Sequence, residues 1–115
     1  MRHKIIENLV EKVRVGIEAQ LRAQLTQPEQ AKPVVRVITH YRKRGCPVWS
    51  VEYYMNVWFL YHYDVLLLSY NEQTGEVNER VDMVSVSDQQ GMNGFLNALG
   101  VNYYVRRAGR TARYV

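Results

Sequence analysis

The stretch from residue 34 to residue 86 constrains the fold most, because it sets β-forming side chains between turn residues and is mostly free of a helical period. Residues 34–41 alternate Val35, Val37 and Thr39 with Arg36, Ile38 and His40. Arg42, Lys43, Arg44, Gly45, Cys46 and Pro47 follow as a basic turn, with Gly45 and Pro47 as its punctuation. Residues 48–55 then place Trp49, Val51, Tyr53 and Met55 on one side and Ser50, Glu52 and Tyr54 on the other, as in a half-buried antiparallel strand. The run at 57–70 is almost continuously apolar and reads as one central strand bent by a bulge, with Val57, Phe59, Tyr61, Tyr63, Val65 and Leu67 on one face. Part of 58–68 also fits a helix. A turn at 71–75 and a returning strand over 76–86 complete an antiparallel meander of about four strands.

Helical patterns flank this meander. Over residues 2–26, Ile6, Leu9, Val10, Val13, Ile17, Leu21 and Leu25 recur at spacings of three and four, which predicts a long amphipathic helix. Gly16 costs such a helix roughly 1 kcal/mol relative to Ala, so packing must carry it, and the glycine suggests a close crossing. A connector with Pro28 and Pro33 ends it. Ser87 followed by Gln90 fits a capping box, and a short helix over about 88–99 would bury Met92, Phe95, Leu96 and Leu99 before stopping at Gly100. Residues 101–106 and 111–115 read as an arginine-rich hairpin.

The expected fold class is therefore α+β: a long N-terminal helix on an antiparallel meander, a second short helix and a C-terminal basic β-hairpin, in a single domain over residues 1–115. In outline this resembles the cystatin-like architecture, from which the late helix and the basic hairpin depart, and architecture alone does not confer function. A chain of 115 residues removes about two-thirds of its unfolded surface from water, enough for one core, and its 47% hydrophobic content argues against disorder. Cys46 is the only cysteine, which excludes an intrachain disulfide framework. No apolar run is long enough to span a membrane and no signal-like core follows Met1, so a cytoplasmic protein is expected.

Charge is segregated along the chain. Lys32, Arg36, Arg42, Lys43 and Arg44 stand without an acid between Glu29 and Glu52; acids dominate from Glu52 to Asp88; Arg106, Arg107, Arg110 and Arg113 crowd the end. Catalytic groups are sparse. His62 and Asp64 share a strand face by the period of two, and Glu52 and Asp64 could pair as carboxylates, but neither pair has a third group at diagnostic spacing. Cys46 sits in a basic turn without a nearby base. No phosphate-binding glycine loop is present. The expectation is a protein without catalytic activity, metal or cofactor.

The pattern that remains is arginine interleaved with tyrosine: Tyr41, Arg42, Lys43 and Arg44 in one segment, Tyr103, Tyr104, Arg106, Arg107, Arg110 and Arg113 in the other. Arginine forks phosphate oxygens and tyrosine offers a ring for base stacking, which points to a nucleic-acid-binding domain or nucleoprotein subunit. The same residue types are enriched at protein–protein hot spots. A small inhibitor or adaptor of mobile-element type, docking on an acidic protein partner, is thus the alternative. A monomer and a homodimer both fit the pattern.

Overall fold

Two helices enclose five strands along the chain in the computed structural model, which describes residues 2–26, 36–80 and 84–106. Helix α1 (Lys4–Thr26) precedes β1 (Arg36–Lys43), β2 (Cys46–Tyr54), β3 (Val57–His62), β4 (Val65–Asn71) and β5 (Val77–Glu79), and α2 (Val86–Leu99) follows. The strands form one antiparallel sheet in sequence order. The fold is α+β, as the periodicities imply.

The fifth strand arises because the run at 57–70 folds back on itself instead of forming one bent strand. Tyr63 and Asp64 take φ of 49° and 65°, a two-residue reversal of the handedness that matches strand twist. The usual Asn-Gly signature is missing, so the apolar run conceals the turn. Arg44 with Gly45, and Met55 with Asn56, reverse the chain in the same way. The expected bulge does occur, one element later: Leu60 pairs with Leu68 and Tyr61 with Leu66, which leaves Leu67 as the extra residue on β4. The returning strand is confined to Val77–Glu79; residues 81–83 lie outside the described residues, and Val84 and Ser85 already lead into α2.

Helix α2 starts two residues earlier than its sequence suggests. Ser85 is the cap, its hydroxyl accepting from the Asp88 N–H while the Asp88 carboxylate accepts from the Ser85 N–H, both at 3.0 Å. The expected Ser87 and Gln90 are ordinary positions of the helix. Gly100, at φ 75°, closes it as expected. The first strand of the expected hairpin does not form. Residues 101–106 have no strand structure, because the Val105 backbone bonds to side chains of α2: Asn93 Oδ1 accepts from its N–H at 2.7 Å and Asn93 Nδ2 donates to its carbonyl at 3.0 Å. A side-chain amide thus occupies the place of a partner strand. The second strand, at 111–115, lies outside the described residues.

Both helices lie on one face of the sheet, α1 over β1 and β2, α2 over β3 and β4. The core joins Ile6, Leu9, Val10 and Val13 of α1 to Trp49, Val51, Trp58, Leu60 and Leu68 of the sheet and to Met92, Phe95 and Leu96 of α2. The apolar stripe of α1 is buried only over its first half, leaving Leu21 and Leu25 exposed. Two glycines set the distances of the helices from the sheet. A Cβ at Gly16 would lie 2.8 Å from Val37 Cγ1, the close crossing expected there, and a Cβ at Gly91 would overlap the indole ring of Trp49.

Inside an ordinary helix, Gly→Ala gains up to about 1 kcal/mol. At position 91 the sign reverses, because buried Trp49 cannot retreat: Gly91→Ala is expected to lose about 1–3 kcal/mol in urea denaturation. A neutral or stabilising result would contradict this packing of α2.

Candidate interaction surface

The sheet has two unlike faces. Cross-strand register puts Tyr41, Trp49 and His62 in one row on the helix-covered side, with Val51 and Leu60, then Tyr53 and Trp58, in the rows beside it. The opposite face carries Arg36, Ile38 and His40 from β1, Ser50, Glu52 and Tyr54 from β2, Val57, Phe59 and Tyr61 from β3, and Leu66 and Ser69 from β4. No described element packs on it.

This open face has a polar floor whose groups are partnered among themselves. Glu52, only 7% exposed, accepts from Arg36 Nε at 2.6 Å and from the Tyr61 hydroxyl at 3.0 Å. Ser50, 3% exposed, shares a 2.6 Å hydrogen bond with His40 Nδ1. Arg36 also lies over the Tyr54 ring at 5.9 Å. The Tyr61 hydroxyl is pushed up from its ordinary pKa, first by burial and then by its bond to Glu52, while the Arg36 guanidinium is raised by the same carboxylate. Around this floor stand exposed Ile38, Tyr54 and Leu66, with half-buried Val57 and Phe59. Glu52 and Ser50 can therefore be covered without being left unpaired.

The anticipated carboxylate pair does not form. Glu52 sits opposite Phe59 and is held by Arg36, while Asp64 belongs to the turn after β3. His62 does not pair with Asp64 either. Its Nδ1 meets Asp88 Oδ1 at 2.6 Å, its ring stacks on Trp49 at 3.8 Å, and His3 meets the same indole edge-on at 5.4 Å. Asp88 therefore serves two ends, capping α2 and fastening it to β3. An open cleft of about 390 Å³ beside this pair is lined by His62, Tyr63, Val65, Leu67, Arg80, Ser85 and Asp88. The Ser85 hydroxyl there accepts the cap bond from the Asp88 N–H, and no hydrogen bond joins it to His62, whose Nδ1 is held by Asp88. Among the described residues, no cluster of His, Cys, Asp and Glu could hold a metal ion, and no helix is long and apolar enough to cross a membrane.

The described basic residues of the two segments share an end of the molecule but not an edge. Arg42, Lys43 and Arg44 are exposed at the β1–β2 turn, and Arg42 donates to the Gly45 carbonyl. Tyr41 points to the helix side and packs against the core. The Gln89 and Asn93 bonds to Val105 lead the chain back along α2, so that exposed Arg106 lies toward the same end as that turn. Tyr103, against Glu79 of β5, and exposed Tyr104 lie on the far side of α2 from α1. Crossing the sheet from β1 to β5 takes four strand spacings, about 19 Å. Arg107, Arg110 and Arg113 lie outside the described residues.

Reading the sequence for basic residues missed the open face. Its signal was the apolar content of 57–61 and 65–68 on both sides of the pleat, a pattern of strands buried on both faces. Comparison with protein-family models, curated proteins and solved structures finds no match.

The cluster around Trp49 is expected to make the fold acid-sensitive. Burial, reinforced by neighbouring His62, holds His3 below its ordinary value of 6.5. Burial raises the Asp88 carboxyl, but hydrogen bonds from His62 and Ser85 outweigh that and bring it below 3.8. Both groups bind protons more readily unfolded, so stability should fall as pH drops, first below 6.5 through His3 and again below 3.8 through Asp88. Urea midpoints from pH 8 to pH 3 test this: His3→Gln should flatten the upper step and Asp88→Asn the lower. A midpoint constant across the range would contradict it.

Proposed function

We propose that this protein is a noncatalytic protein-interaction module that docks through the open face of its sheet. One observation carries the reading: β3 is apolar on both sides and β4 adds Leu66 to the open one, yet both helices pack on the other. Ile38, Tyr54 and Leu66 stay exposed around buried, internally bonded Glu52 and Ser50. Contiguous apolar patches of this kind mark interaction sites, and aromatic residues are enriched in them. The Arg36–Glu52 pair leaves the face without net charge, so apolar contact and shape must supply the affinity.

Capture from nuclease-treated extract tests this directly. A bait with wild-type sequence should retain a protein that a Leu66→Glu bait loses, with both baits equally folded by circular dichroism. Equal retention on both would overturn the assignment of the face.

A second reading, nucleic-acid binding, is favoured by exposed Arg42, Lys43 and Arg44 in one turn, with Arg106 toward the same end. Each phosphate contact made there would release counterions, so binding would weaken steeply with salt. Fluorescence anisotropy with single-stranded and duplex oligonucleotides at 50 and 200 mM salt is the check. Substituting Ala at all three turn positions should reduce the salt slope by up to about three. Absence of binding at low salt would remove this reading.

A further inference from the structure

We infer that the open face is the interface of a homodimer, two copies meeting sheet to sheet about a two-fold axis. The inference rests on the reading of that face as a docking surface and names its occupant.

Charge argues for a second copy. Across the field of Ile38, Ser50, Glu52, Tyr54, Phe59, Tyr61 and Leu66, the charged groups are Glu52 and its partner Arg36, which neutralise each other at 2.6 Å. Two such faces do not repel, and a strongly acidic or basic partner would gain little from them. The polar floor makes the same point in hydrogen bonds: Glu52 and Ser50 already hold partners within the chain, so a facing copy need supply none to these two.

Shape and area agree. A twisted sheet is best covered by another twisted sheet at about 10 Å, and a second copy offers the same twist in a self-complementary patch. Five strands at about 4.8 Å spacing and five residues at about 3.4 Å give a face roughly 20 Å by 17 Å. Two copies in contact would cover about 340 Å² of sheet on each, about 700 Å² in all, which is the range of weak, transient interfaces. An exchanging dimer is therefore expected. The sequence carries the same message, since Val57, Phe59, Tyr61 and Leu66 are β-strand side chains of core type on the side the helices leave open.

Sedimentation equilibrium of the purified chain, from a few micromolar to a few hundred micromolar, tests the inference. The expected result is a concentration-dependent rise from the 13.5 kDa monomer toward twice that mass. Ile38→Glu and Leu66→Glu should each raise the dissociation constant more than about tenfold, since each puts an unpaired carboxylate in the contact. Leu21→Glu and Leu25→Glu, on the exposed second half of α1, should leave it unchanged. A monomer at every concentration overturns the homodimer, as does a dimer lost through the α1 substitutions but kept through those on the sheet. Extract capture that depends on Leu66 from a strictly monomeric chain would leave the docking face standing and remove only the second copy as its occupant.

Discussion

The structure depends on a mismatch between what the central strands bury and what the helices cover. β3 presents apolar side chains to both sides and β4 adds Leu66 to the open one, and α1 and α2 supply one layer. On the covered side Leu60, Leu68, Trp58, Phe95 and Ile6 form a dry core. On the other side the protein lowers the cost of exposure in the free chain with an internally bonded polar floor of Glu52, Ser50, His40 and Arg36 beneath Tyr61. The face is thus tolerable in water and ready to be desolvated.

Trp49 organises the covered side. Its indole lies against Gly91, stacks on His62 and receives the edge of His3, so one side chain joins the start of α1, the middle of the sheet and α2. The Asp88 carboxylate completes this joint by capping its own helix and bonding His62. A His–Asp pair in a cleft resembles acid–base machinery at first sight. Here its partners are a helix cap and an aromatic stack, through which it fastens α2 to the sheet.

How much of this was legible varies with the physics behind each element. α1 and the body of α2 followed from apolar spacing, and Gly100 from the need for a left-handed stop. The reversal at Tyr63 and Asp64 was hidden because two side-chain-bearing residues adopt positive φ, and only pairing across the sheet compensates for that. Residues 101–106 were misread as a strand because Val101, Tyr103 and Val105 alternate correctly, and a single buried side chain, Asn93, intercepts the backbone bonds a strand would use. His62 was paired with the nearest acid in sequence, Asp64, when its partner comes from 26 positions away on another element. Basic residues drew the reading of function to the turn and the tail. The surface that best fits a docking role was written in the apolar excess of the central strands.

Solvent access to the Ile38 and Leu66 methyl groups, read by NMR with a soluble paramagnetic agent across a dilution series, tests the central claim most directly. The account predicts that both methyls are shielded in concentrated protein and become accessible on dilution, while Leu25, 82% exposed on α1, stays accessible throughout. Ile38 and Leu66 methyls equally open at every concentration, and still open when the chain is bound to a captured protein, would contradict it.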